Sequence, residues 1–465
     1  MMRKYINFIL GALILQIAAS TLIAQPVAKI GYFMDNATHK HLMNPALVPA
    51  RGYLSYPALG SFDLDLRSNL SLPQFLYPGS NGQLVTFLHE DVTPEQFLSQ
   101  LSPENFLKVN QRLSILSFGA YFGRSFWTFE VASRINAGLN IPEEFFAFLK
   151  KGMDNAAGNR YEINNLSVGM DAMAEVSLGS SFMIGDNVRV GAKGKLLVGG
   201  AKATAGIDEM IIDMRPDQWT VSSKGLINLY GAGFDFTTDT DGVVDGFDFG
   251  TPNMSGMGYA IDLGASWKPF SFLEVSAGII DLGKISWNKT YNRVARSQGT
   301  ATFSGLENIS LDDEDDSSDE DPFQEITDNL MEMAQFKPVN ESDNLIESLI
   351  PTINAGVEAG IWGNRLSAGV LYTNRMVPSN PLHEITGVLN FKPLKGFNIA
   401  GSYSLLNGVQ ETFGVALGIN LLIANLFVAC DYIPTRVATG IPVPLTQATT
   451  HLQIGASISL GRMKK

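Results

Sequence analysis

The groups in this chain that could do chemistry are few, and their spacing decides what each could do. Five histidines are present: His39, His41, His89, His383 and His451. Only His39 and His41 are close, and in an extended segment they share a face as two metal ligands could. No third ligand lies nearby, so solvated histidines are the expectation. "TTDTDGVVDGFD" puts Asp239, Asp241 and Gly242 at positions of a calcium loop. Thr237 and Asp248, however, stand where Asp and Glu are wanted. An Asp/Gly-rich turn is the reading taken, with Asp239, Asp241 and Asp248 as a weak calcium candidate. "DDEDDSSDED", Asp312 to Asp321, holds eight acids in ten residues and reads as a solvated loop tip. Its alternative is low-affinity binding of divalent cations or a basic partner. No phosphate loop, Ser-His-Asp set or two-carboxylate site can be assembled. Neither an enzyme nor a cofactor is expected.

A second set of charges recurs at period two within apolar segments: Glu130, Arg134, Asp171, Glu175, Arg189, Lys193, Lys195, Asp262 and Glu274. Asp171 and Glu175 lie on the segment before Arg189, Lys193 and Lys195, so opposite charges on neighbouring strands can pair. Pairing is the reading preferred, because charges in a narrow interior must find partners; a polar path is the alternative.

The elements that carry these charges alternate strictly. Phe62, Leu64, Leu66, Leu70 and Leu72 share one face, and Asp63, Asp65, Arg67, Asn69 and Ser71 share the other. Trp127, Phe129, Val131 and Ile135 oppose Thr128, Glu130, Arg134 and Asn136 in the same way. Several segments run ten residues or more, the length of a tilted membrane-crossing strand, about 9–11. The expected segments are 62–72, 113–122, 126–139, 165–182, 188–203, 257–268, 272–287, 352–362, 365–375, 384–392, 397–405, 411–421, 425–433 and 450–461, fourteen in all. The fold class expected is therefore all-β, a transmembrane antiparallel β-barrel of about 14 strands, whose second face lines a lumen.

Short turns such as "FGRSF", "IGDN" and "KPFS" alternate with long connections at 73–112, 140–164, 204–256, 288–351 and 434–449. Short turns face the periplasm in such barrels, which puts both termini there and the long loops outside. "TPEQFLSQLSPENFLKV", "PEEFFAFLKK" and "PFQEITDNLMEMAQF" read as short amphipathic helices in those loops. Tyr121, Phe122, Phe126, Trp127, Trp267, Trp287, Trp362 and Tyr432 lie near segment ends and suit the membrane interfaces.

Composition fits export. Arg3 and Lys4 precede an apolar stretch from Ile6 to Ile17, with a plausible cleavage site after Ala24, so 1–24 reads as a signal peptide. The formal net charge of −13 argues against nucleic acid, and the single cysteine, Cys430, excludes an internal disulfide. The expected organisation is a signal peptide at 1–24, a periplasmic or hatch segment at 25–60 and an outer-membrane barrel at 61–465.

The stretch "MNPALVPARG" denies itself helix and ladder through Pro45 and Pro49. It resembles the Asn-Pro-Ala segment of FadL-like fatty-acid transporter barrels and their PorV-like relatives in type IX secretion. "GYAIDLGASWKPF" and "LEVSAGIIDLGKISW" resemble a family of uncharacterised outer-membrane barrels from Gram-negative bacteria with that secretion system, which repeats Asp-Leu-Gly. The likeness spans roughly 30–461. It implies that Asn44, Pro45 and Ala46 belong to a hatch tucked into the barrel. The chain departs from the usual barrel ending, with Leu460 where an aromatic is expected. Three functions remain open: passive transport of a small hydrophobic or amphipathic solute, an interaction subunit for a secreted or surface protein, and a structural barrel. The partners implied are outer-membrane lipid, such a small molecule and such a protein.

Overall fold

The computed structural model describes residues 27–461 except 36, 56–59, 80–83, 251–252, 304–332, 379–380, 395, 409, 422 and 434–448. The signal segment and the acidic block lie outside the described residues. Fourteen strands close into one antiparallel ring: β1 (Ser61–Ser68), β2 (Glu104–Phe122), β3 (Ser125–Pro142), β4 (Asn159–Ile184), β5 (Val188–Arg215), β6 (Gly256–Phe270), β7 (Leu273–Trp287), β8 (Thr352–Ile361), β9 (Leu366–Arg375), β10 (Leu382–Leu394), β11 (Phe397–Leu406), β12 (Gln410–Asn420), β13 (Ala424–Ile433) and β14 (Thr450–Leu460). Each pairs with its neighbour in the chain, and β1 pairs with both β14 and β2, which completes the ring. A short strand, Gly52–Ser55, fills the wall between β14 and β2 below β1.

The barrel is apolar outside and polar inside, the reverse of a soluble protein. Phe129, Ile135, Leu178, Leu196, Ile261, Leu389, Val415 and Val428 are exposed. Glu130, Arg134, Glu175, Lys193, Asp262, Asn390 and Gln453 are buried. A continuous apolar belt of that kind needs lipid around it. Val131 lies in the belt between Phe129 and Ile135, so Val131→Arg is expected to cost about 2–4 kcal/mol in refolding titrations into lipid vesicles. A negligible cost would mean that this face does not meet lipid.

The two sides of the barrel differ in height. β8 to β14 run 10–13 residues, whereas β4 and β5 run 26 and 28, more than twice what a crossing needs. Connections read as loops contain strands here. Gln218–Gly231 pairs with the second half of β5 and with Asn292–Phe303, which extends β6 and β7 beyond the belt. Their outward residues turn polar (Thr220, Ser222, Gln298, Thr300), a pattern that local reading takes for a loop. At the same height the β4–β5 register slips, leaving Gly200 as the extra residue.

Helix α1 (Pro94–Leu98) and helix α2 (Glu143–Lys151) form where amphipathic helices are expected. The second half of the first segment does not continue as helix: Pro103 interrupts it and β2 starts at Glu104.

Aromatics follow the interface expectation in part. Phe122, Trp127, Trp267 and Trp362 are exposed near the short turns. Phe126, Trp287 and Tyr432 are instead buried inside. Phe126 shares the face of Thr128 and Glu130. Asp281 and Tyr432 have positive φ, 60° and 58°, beside register slips that reverse the alternation. The first slip turns Trp287 inward, and the second turns Tyr432 inward beside Asp431.

Candidate functional site

The described residues among 27–50 lie inside the ring. Two 3-10 turns, Lys29–Phe33 and Thr38–Leu42, shape the segment. Pro45 and Pro49 keep the rest from joining a ladder. One side is apolar: Ile30, Phe33, Met34 and Leu42 pack with Leu371, Val388, Ala400 and Phe427 of the short wall.

Asn44 anchors the other side. Its Oδ1 accepts from Ala46 N (2.9 Å), and its Nδ2 donates to Tyr32 Oη and Ala265 O, both at 3.3 Å. Asn354 Nδ2 donates to Met43 O at 3.0 Å. The wall leaves room by lacking side chains. A Cβ on Gly264 would lie 2.0 Å from Asn44 Oδ1, and one on Gly191 would lie 2.5 Å from Pro45 C and O. Hence Gly264→Ala should unseat Asn44 and expose residues 43–47 without unfolding the ring. Faster protease cleavage in that stretch, with β-barrel mobility on gels intact, checks this; unchanged cleavage would mean that Gly264 is not a seat.

Beyond Gly191 and Gly264, charges line the inner wall from β2 to β7 in alternating order. Arg112 bridges Glu130 (2.9 Å) and Glu175 (3.1 Å). Arg134 bridges Glu175 (3.0 Å) and Asp281 (2.9 Å). Lys195 then joins Asp281 (2.7 Å) to Asp262 (2.8 Å). All seven side chains are buried, so each charge depends on its neighbours for the solvation it has lost. The two Asp-Leu-Gly repeats acquire a meaning here. Asp262 and Asp281 supply carboxylates, Leu263 and Leu282 face lipid, and Gly264 seats Asn44. The Asp281 backbone N–H donates to Asp262 Oδ1 at 2.9 Å, tying the repeats together.

A second buried cluster holds the first described residues of the segment. Lys29 Nζ meets Glu384 Oε2 at 2.6 Å and also bonds Tyr432 Oη. Lys29 N donates to Asp431 Oδ2 at 2.6 Å. Tyr432 Oη donates to the Glu384 carboxylate, and Arg67 lies against the Tyr432 ring while pairing with Asp65 at 3.1 Å.

The model of a family of unknown function (DUF5723) matches residues 45–431. The chain belongs to that family. No curated protein matches it in sequence. Among solved structures it is similar to a FadL homologue of Pseudomonas aeruginosa, at 10% identity and TM-score 0.45, covering 95% of this chain and 100% of that one. It is also similar to the Pseudomonas putida toluene transporter TodX, at 8% identity and TM-score 0.39, covering 92% of this chain and 93% of that one.

The remaining candidates of this DUF5723 chain do not converge. Asp171 is buried and accepts from Asn136 Nδ2 at 2.8 Å, outside the seven-residue ladder. Arg189 is half-buried and donates to Ser181 Oγ at 3.2 Å. Glu274 pairs with Lys268 at 3.0 Å at the short-turn rim. Asp239 caps its own turn, accepting from Asp241 N and Val243 N. Asp248 stands across the hairpin opposite Asp235, so the three calcium candidates do not form one site. Among the described residues no group of three metal-ligating side chains comes together. His39 and His41 are buried, against the expectation of solvated side chains, because the segment that carries them is enclosed.

Arg112 and Asp281 of the ladder, and Lys29, Glu384 and Asp431 of the second cluster, are not among the candidates that the sequence offers. Arg112 falls in a stretch read mostly as loop and helix. Asp281 is displaced by the register slip. Lys29 precedes any alternation. The repeated Asp-Leu-Gly was the available signal for Asp281.

Proposed function

We propose that this protein is an outer-membrane barrel that passively transports small hydrophobic or amphipathic solutes, with residues 27–50 as the hatch that closes its lumen. The observation that carries this reading is the fitted seat. The wall gives up side chains at Gly191 and Gly264 to hold a segment that contributes no strand. Barrels of about eight strands fill their lumen with their own side chains; this wider ring takes in a separate segment instead. Apolar clusters at the long-connection end supply a place for an apolar solute to gather. Phe75, Phe87, Phe97 and Phe146 pack together under α1 and α2. Phe145, Phe148, Met210 and Phe336 pack against the raised wall. The short turns then face the periplasm, with both termini, and the raised wall faces outward. An exit through the wall would be sought at the Gly200 bulge, where β5 changes partner.

A second reading, an interaction subunit that holds a secreted or surface protein as in type IX secretion, is favoured by the height of that wall. Its outer face is polar and rises well past the lipid belt. Mild-detergent purification separates the two. A co-purifying lipid or apolar small molecule, identified by mass spectrometry, supports transport. A stoichiometric protein partner with no such molecule supports the second reading and overturns the first.

A further inference from the structure

Beside the Asn44 anchor, one histidine ties the hatch to the polar wall in a geometry that suits a neutral ring. His41 Nδ1 lies 2.9 Å from Lys193 Nζ, and its Nε2 lies 2.7 Å from Tyr53 Oη. With Lys193 held as an ammonium by the carboxylates of Glu130, Glu175 and Asp262 that face it, it can only donate; Nδ1 then presents its lone pair and Nε2 carries the proton. Tyr53 Oη continues to Ser117 Oγ at 3.1 Å. His41, Lys193, Tyr53 and Ser117 are all buried. The joint therefore runs from β5 through the hatch to the Gly52–Ser55 strand and β2. It holds only while the imidazole is neutral.

We propose that His41 is a proton-operated latch, and that a second proton on its ring releases the hatch from Lys193. This rests on the reading of residues 27–50 as a hatch. A proton on Nδ1 would point at the Lys193 ammonium, replacing an attraction by a repulsion between buried cations. The charged surroundings are mixed. On the cationic side stand Lys193 of β5, Arg112 of β2 and neighbouring His39. The carboxylates that face Lys193 are Glu130 of β3, Glu175 of β4 and Asp262 of β6. Glu130 and Arg112 are tied to each other, as are Asp262 and Lys195, which leaves the Lys193 contact to decide. Burial and Lys193 both oppose the second proton while the hatch is seated. A released His41 in water takes one up near pH 6.5. The sign follows: the seated form binds fewer protons, so acid favours release, by up to about tenfold per pH unit below about 6.5.

The test is thiol labelling of Leu47→Cys in a Cys430→Ser background, in detergent, at about pH 7.5 and about pH 4.5. The rates are normalised to a free thiol at each pH, and barrel mobility on gels verifies folding. The normalised rate is expected to rise at least about tenfold in acid. His41→Gln should abolish that rise and His39→Gln should keep it. If His41→Gln does not assemble, Lys193→Met takes its place and should flatten the pH dependence. A rate independent of pH, or a rise that survives His41→Gln or its substitute, overturns the latch. The measurement reads movement of the segment directly. Whether the segment blocks the pore is read separately, by the conductance of a barrel lacking it.

Discussion

Arg112→Met should destabilise the folded barrel by about 3–5 kcal/mol, the largest stability effect of any single side chain considered. Arg112 holds Glu130 and Glu175 at once, at 2.9 and 3.1 Å, and all three side chains are almost fully enclosed. Removing the guanidinium leaves Glu130 with no ion pair in the ladder, and leaves Glu175 on Arg134 alone. Methionine fills similar volume, so the loss is electrostatic more than a cavity. Urea titration of refolding into lipid vesicles reads it. The triple variant Arg112→Met, Glu130→Gln, Glu175→Met should recover most of the loss, since it removes the charges together. A single variant as stable as the parent would mean that water reaches the ladder and that the lumen at this height is wet.

Much of this fold is legible in the sequence. Period-two alternation with charges on one face also suits a soluble sheet with one wet face; it is the segments of ten residues or more that point to lipid on the apolar side and a polar interior on the other. Each of the fourteen barrel strands overlaps a segment that alternation marks, although β2 starts well before its segment and β5 ends well after. The register was not legible. Arg112 stands directly opposite Arg134 across β2 and β3, which by itself would repel. The acids that resolve this come diagonally, from Glu130, and from β4 and β7. The reversal at Asp281 is not legible either: the repeated Asp-Leu-Gly marks the residue but not its backbone turn. A non-glycine residue at positive φ reads like any other aspartate, yet it decides that Trp287 faces inward. The raised wall was missed because above the lipid belt the outer face turns polar and the alternation loses its contrast. Of the candidate site, Asn44 and Pro45 were legible because an Asn-Pro step followed by a second proline cannot join a ladder. Their seats were not, because a glycine in a strand does not say what approaches it. His39 and His41 were misjudged for a related reason: burial of a hatch is a property of the barrel around it.

The second large effect concerns passage through the ring. Without residues 27–50, the seats at Gly191 and Gly264 stand empty, and the apolar inner face of β9 to β13 loses its cover. The ladder from Glu130 to Asp262 stays, since it is built from the wall alone. The shortened chain should still close, because strand pairing does not depend on the hatch. It begins at Arg51 and keeps the Gly52–Ser55 strand and β1. What it loses is the obstruction.

Single-channel recording in planar bilayers tests this most directly, comparing the full-length protein with the barrel lacking 27–50 at equal, verified folding. The account predicts open steps in the shortened barrel with conductance on the order of tenfold above the full-length protein, since a barrel of this size with an empty interior conducts water and ions. Equal conductance from two folded proteins would contradict it: the wall's own side chains would then close the lumen, and residues 27–50 would not be its gate.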